Sequence, residues 1–297
     1  HIEEAGIHSG DAAMSLPPFS LSESLVQGLI QKTKQLAREL NVIGLMNVQY
    51  AIKDGEIYCL EVNPRASRTV PFVSKAIGRP LAKWAAQVMV GKTLKEFGFT
   101  KEIVPGYFSI KESVFPFVKF PGVDIILSPE MKSTGEVMGM SEDFGMAYYK
   151  SQQASYSEIP SSGNVFLSVK DADKKKVLFV AKGLSEMGYH IISTKGTAEH
   201  LAKHGIQAEV IKKLGEGSPN ISDRIRAKEI ALIINTPTGK GPMLDEAKIR
   251  SLAVSFKIPC ITTINAARMV ISAAVSFREK GVSVCPLQDY HSQNPSK

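Results

Sequence analysis

From residue 165 to about residue 279, short apolar runs alternate with stretches whose apolar positions recur at helical spacing, and few folds accept that order. Residues 165–169 are expected as a strand, about 173–187 as a helix, 189–193 as a strand, a short helix from Thr197, and a short strand near 208–211. Residues 230–235 then read as a strand, about 244–256 as a helix, 260–263 as a strand and 266–279 as a last helix. Strands that alternate with helices imply a mostly parallel sheet covered on both faces. The polar tail, 288–297, is expected to be loose.

The first half has a different texture. Residues 21–40 place Leu25, Val26, Leu29, Ile30, Leu36 and Leu40 at helical spacing, which predicts a helix with one buried face, capped by Ser22. Residues 46–64 switch to period two around Lys53-Asp54-Gly55, the signature of a β-hairpin. A further helix is expected at about 80–90, with Pro80 at its first turn and Gly91 at its stop. Residues 103–127 read as short strands and turns. A polar stretch at 151–163 separates the textures, so two domains are expected, 1–155 and 156–297.

Composition narrows the class of function. With 43% hydrophobic and 22% charged residues in 297, the chain is long enough for two cores. The net charge of +7 suits anionic ligands, but it is spread out, and its one tight run, Lys174-Lys175-Lys176, has no aromatic partners of the kind a nucleic-acid surface needs. No apolar run approaches membrane-spanning length. Three distant cysteines, Cys59, Cys260 and Cys285, read as free thiols in a reducing cytoplasm. The opening run, His-Ile-Glu-Glu-Ala-Gly, reads as the middle of a domain, so the chain is expected to be a piece of a longer one.

The hairpin holds the main chemical constellation. If Val48, Tyr50, Ile52, Tyr58, Leu60 and Val62 face a core, then Gln49, Glu61 and Asn63 share the other face with Ile57 and Cys59. A three-residue loop, 54–56, sets Gln49 across from Glu61. One carboxylate and two amide oxygens are hard donors that suit Mg²⁺ or Mn²⁺. Arg65 and Arg68 follow and can neutralise phosphate oxygens. An exposed hairpin face also carries such residues with no ligand, and spacing alone leaves both readings open. The same holds for Thr194-Lys195-Gly196-Thr197, which is either a capped turn or an anion site at a strand-to-helix junction, near Lys174, Lys213 and Asn235.

The runs 46–52 (Met-Asn-Val-Gln-Tyr-Ala-Ile) and 61–75 (Glu-Val-Asn-Pro-Arg-Ala-Ser-Arg-Thr-Val-Pro-Phe-Val-Ser-Lys) closely resemble the second ATP-grasp half of carbamoyl-phosphate synthase large chains. Residues 1–11, the run from Phe120 to Asp124 and the run from Ser133 to Gly139 resemble the same family, and 156–297 resembles its methylglyoxal-synthase-like allosteric domain. The resemblance implies an α/β chain: the end of an ATP-grasp domain with an antiparallel sheet, then a doubly wound parallel sheet. It implies ATP with Mg²⁺ or Mn²⁺, K⁺ as a further cation, and phosphorylation of carbamate for arginine and pyrimidine biosynthesis. Gly6, Ile7, His8, Ser9, Gln49 and Glu61 would then hold nucleotide, Gln49, Glu61 and Asn63 the metal, and Arg65 and Arg68 the phosphates.

In the second half, Ser168, Lys174, Thr194, Thr197, Lys213 and Asn235 fall on the family's phosphate-ligand positions for an effector such as UMP or IMP. Glu3, Asp11, Glu112 and Thr262 match an ornithine pattern. Pro237 replaces a hydroxyl residue found in many relatives, flanked by Thr236 and Thr238, and Cys260 replaces a tyrosine. The implied partners are a glutaminase small chain and further copies in an oligomer of heterodimers, all cytoplasmic. Without the rest of the ATP-grasp fold, the chain alone is expected to show no synthase turnover. Rival readings are a methylglyoxal synthase, which needs a carboxylate where Asn235-Thr236-Pro237-Thr238 offers none, another ATP-grasp ligase, which does not account for the second half, and a non-catalytic binding fragment.

Overall fold

The computed structural model of the chain describes residues 2–120, 122–237 and 243–292. The first half opens with β1 (Met14–Leu16), then α1 (Glu23–Glu39), β2 (Asn47–Lys53) and β3 (Glu56–Asn63). Next come α2 (Thr69–Ile77), α3 (Leu81–Met89), β4 (Phe108–Val114), β5 (Gly135–Ser141) and α4 (Phe144–Ala154). Strands β1, β4 and β5 form one antiparallel sheet, and β2 pairs with β3 as a separate hairpin.

The hairpin corrects one expectation and reaches its consequence by another route. Asp54 and Gly55 both take positive φ, 53° and 83°, so the loop has two residues, and Lys53 pairs with Glu56. Two left-handed residues match the twist of the strands, which is why Asp-Gly favours this turn. An unbroken register from that turn sets Gln49 opposite Leu60. A bulge between Gln49 and Tyr50 shifts the pairing, so Gln49 meets Glu61 and Asn47 meets Asn63.

The bulge also rearranges the faces. Tyr50 pairs with Cys59 and Ile52 with Ile57, so Ile57 and Cys59 join the tyrosine face, and Tyr58, paired with Ala51, leaves it. Ile57 lies against α1 beside Gly28, and the Tyr50 hydroxyl meets Thr33 Oγ1 at 2.9 Å. Tyr58 and Leu60 stay about half exposed. Helix α1 is capped by Ser22, but no residue of it is fully buried, so its apolar face is only half covered.

The second half follows the predicted alternation: β6 (Asn164–Ser168), α5 (Lys174–Glu186), β7 (His190–Thr194), α6 (Lys195–Ala202), β8 (Glu209–Ile211), α7 (Ile221–Arg226), β9 (Ile230–Asn235), α8 (Met243–Ser255), β10 (Cys260–Ile261), α9 (Ile264–Lys280) and α10 (Leu287–Ser292). Five parallel strands lie in the order β10-β9-β6-β7-β8. Alternate residues of each strand serve opposite faces. Val165, Leu167, Ile191, Leu232 and Ile234 pack with Val177 and Leu184 of α5 and Val270 of α9. Phe166, Ile192 and Ile233 pack with Ile225 of α7 and Ile249 of α8. Each such side chain taken out of water contributes about 1.5–3 kcal/mol, and burial on both faces explains the unbroken apolar runs.

The polar stretch that begins at 151 starts inside α4, and Ser151 and Gln152 are buried there. Helix α4 packs on α9, with the Tyr149 and Phe277 rings stacked at 4.5 Å and Ser276 donating to Asp143 at 2.6 Å. Only a glycine admits that approach: a Cβ on Gly145 would sit 2.3 Å from Ser276 Oγ. The tail is not loose up to Ser292. Helix α10 docks through Tyr290 onto the Met140 carbonyl and through His291 onto that of Lys75; residues 293–297 lie outside the described ones.

Candidate functional site

Three places gather the candidate residues. At the hairpin, Gln49 and Glu61 stand directly opposite each other, and the Asn63 amide donates to Glu61 Oε1 at 3.0 Å. Gln49 donates its amide nitrogen to the Ile7 carbonyl at 2.9 Å, which leaves its oxygen to act as a donor atom toward a cation. That bond ties the hairpin to the segment 6–9. Within the segment, His8 Nδ1 accepts from the Gly10 amide at 3.0 Å, and the His8 amide donates to Ser128 at 2.8 Å. Arg65 reaches back to Asn63 Oδ1 at 3.2 Å, while Arg68 points to the Ser133 hydroxyl at 3.1 Å.

Among the described residues, no group of three or more His, Cys, Asp or Glu side chains is placed to hold a metal ion. A metal at the hairpin would therefore rest on one carboxylate and two carboxamides. Hard oxygens in that number fit a cation that keeps the rest of its shell for water and phosphate.

The second place is the C-terminal edge of the parallel sheet, where open α/β sheets bind ligands. Ser168 and Thr194, at the ends of β6 and β7, join hydroxyls at 3.1 Å. Thr197 Oγ1 accepts from the Val169 amide at 3.5 Å, Thr236 Oγ1 from the Lys170 amide at 3.1 Å, and Asn235 donates to the Ser168 carbonyl at 3.2 Å. Lys174 is paired with Asp171 at 2.7 Å and lies beside Gly196. Lys213 follows β8 on the same edge, but its only described bonds are backbone ones, to Glu216. Thr238 lies outside the described residues.

The third place is a cavity of about 1130 Å³ lined by Glu3, Glu112, Tyr148, Gln152, Cys260 and Thr262 among others. It removes its carboxylates from water. Desolvation pushes Glu3 up to about 7 and Glu112, which also feels Glu3, up to about 8. Gln152 donates to Glu112 at 2.7 Å. Burial lifts the Cys260 thiol to about 12, so it is inert. Asp11, expected with this set, does not line the cavity. Its carboxylate is fully buried and takes the amides of Lys132 and Ser133 at 2.7 and 3.0 Å.

Residues 3–97 match the family described as carbamoyl-phosphate synthase L chain, ATP binding domain, and residues 176–262 match the MGS-like domain. A carbamoyl phosphate synthase large chain of Methanosarcina barkeri is 49% identical over 295 residues, which cover 99% of this chain and 74% of that protein. The chain belongs to the carbamoyl phosphate synthase large chain family. Large chains of Myxococcus xanthus (strain DK1622) and Archaeoglobus fulgidus are 53% and 48% identical across 98% and 99% of this chain. The chain spans 27% of the length of each of those two relatives.

Within this member of the carbamoyl phosphate synthase large chain family, the sequence reading missed several participants. Ser133 meets Arg68, Lys132 caps Asp11, and buried Arg250 donates to Asn235 Oδ1 at 3.1 Å and grips Asp124 with two bonds, at 2.7 and 2.6 Å. Burial opposes the charge on Asp124, but the bonds and charge of Arg250 hold its pKa below the usual value. A lone arginine in a helix that mixes polar and apolar residues without a clear face gives no signal that it is buried and bidentate.

Proposed function

We propose that the chain carries the nucleotide- and metal-holding end of a carbamoyl-phosphate-forming ATP-grasp domain, followed by a regulatory domain, with 1–155 and 156–297 as the two units. The observation that carries this reading is the Gln49–Glu61 pair across the hairpin, extended by Asn63 and tied through Gln49 to the segment 6–9. Those residues lie in the stretch matched by the ATP-binding family model, 3–97. Gln49, Glu61 and Asn63 would hold Mg²⁺ or Mn²⁺, which neutralises phosphate charge when bound. The segment 6–9 binds the nucleotide. Arg65 and Arg68 orient and balance the transferring phosphoryl group. A carbamate oxygen attacks the γ-phosphorus, the bond to the β–γ bridging oxygen breaks, and ADP leaves with that electron pair.

The large-chain family supports a small-chain partner, which we assign as a glutaminase supplying ammonia. At the sheet edge, Ser168, Lys174, Thr194, Thr197 and Asn235 form an anion site for a nucleoside monophosphate, with Lys213 able to close over it. Glu3, Glu112 and Thr262 suit an amino acid with two ammonium groups, such as ornithine, since two carboxylates that regain charge reward a cation. The chain by itself is expected to bind but not turn over. Titration with Mn²⁺ and ATP tests the first part, and no saturable binding refutes it. Carbamoyl phosphate formation by the purified 297-residue chain refutes the second.

A further inference from the structure

We propose that residues 124–133 form a strap that links the anion-binding edge of the parallel sheet to the hairpin site, with Arg250 as the positioning residue that anchors it. The inference rests on the two site assignments above and adds the connection between them.

The anchor is buried. The Arg250 side chain is 2% exposed, and its guanidinium is divided between two elements. Nε and Nη2 hold the Asp124 carboxylate, and Nη1 holds Asn235 Oδ1 at 3.1 Å, with Glu246 4.0 Å away. A planar fork shielded from water cannot exchange a protein partner for solvent at small cost. Asp124, Arg250 and Asn235 therefore move together. Asn235 faces the edge through its other atom, Nδ2, now on the Ser168 carbonyl at 3.2 Å. An anion that recruits the second N–H of Nδ2 turns the carboxamide and so pulls on the anchor.

The strap transmits the pull through short bonds. Asp124 Oδ1 accepts from the Ile126 amide at 3.2 Å, and the Ile126 carbonyl accepts from Lys132 Nζ at 2.6 Å, closing the strap on itself. Its far end carries three contacts to the nucleotide side. Ser128 accepts from the His8 amide, the Lys132 and Ser133 amides hold Asp11, and the Ser133 hydroxyl meets Arg68. One segment thus touches the partner of Asn235 at one end and His8, Asp11 and Arg68 at the other. Contiguity is a route; coupling is a measured quantity.

The test is amide hydrogen exchange on the 297-residue chain with inorganic phosphate as the probe. Phosphate should slow exchange at Val169 and Lys170 on the edge, and also at His8, Lys132 and Ser133, by about fivefold or more, the scale of ordinary site coupling. In the double variant Arg250→Met, Asp124→Leu neither charge is stranded. Phosphate should then slow only Val169 and Lys170, while Val165 and Leu167 keep their protection as the fold control. If the double variant does not fold, Arg250→Lys, which keeps the charge but loses the fork, should at least halve the remote response. Slowing confined to Val169 and Lys170 in the parent, or a full remote response in the variants, overturns the strap and leaves the anion site standing. No phosphate effect anywhere overturns both.

Discussion

Binding of an amino acid with two ammonium groups in the 1130 Å³ cavity should strengthen steeply as pH rises from 6 to 8. The carboxyls that face it, Glu3 and Glu112, are raised to about 7 and about 8. At pH 6 roughly a tenth of Glu3 and a hundredth of Glu112 are ionised, and at pH 8 about nine-tenths and one-half. If the ligand requires both charges, affinity rises by about a hundredfold to a thousandfold across that span. Calorimetric titration with ornithine at pH 6, 7 and 8, in buffers of different ionisation heat, reads both the affinity and the protons released. Glu112→Gln removes the larger part of the rise and leaves about the tenfold due to Glu3. Affinity that stays flat with pH, or binding that releases no proton, refutes the reasoning that burial holds these groups neutral.

Other consequences follow from the same geometry. Without ligand, the two raised carboxyls contribute stability that is full below their unfolded value of 4.5 and is lost as pH rises toward about 8. Asp124 and Asp143, held below 3.8, contribute stability present above that value and lost as pH falls through their folded values. Thermal melts at pH 3, 5 and 8.5 should therefore peak at the middle condition. Arg250→Met alone leaves the Asp124 carboxylate, 27% exposed, without its partner. It should cost about 2–4 kcal/mol in urea unfolding, and adding Asp124→Leu should recover at least half. Gly145→Ala drives a methyl into Ser276 and the Ser272 carbonyl, 2.3 and 2.5 Å away, so it should lower stability by about 2 kcal/mol or more.

The parallel sheet was legible because burial on both faces writes unbroken apolar runs, and each expected strand appears. The antiparallel part was less so. Strand β1 has three residues and β5 carries two glycines, Gly135 and Gly139, so neither shows a clean period. Helix α4 was masked because Ser151 and Gln152, polar residues, are buried in its last turn. At the hairpin the right pair emerged from the wrong turn. A three-residue loop and a two-residue loop with a bulge give the same Gln49–Glu61 register, and sequence pattern does not separate them. Asp11 looked like a ligand-facing carboxylate, but it is fully buried and each of its oxygens accepts a backbone amide, from 121 and 122 residues further along. Contacts at that separation leave no local pattern to read.

The most direct measurement concerns Glu61. Mn²⁺ bound with ATP to the parent chain and to Glu61→Gln, compared by electron spin resonance with circular dichroism as the fold control, isolates one charge in the proposed ligand set. At least a tenfold loss of Mn²⁺ affinity with unchanged secondary structure is expected, about 1.4 kcal/mol or more. Equal affinity in the two proteins would contradict the assignment of the hairpin as the cation site.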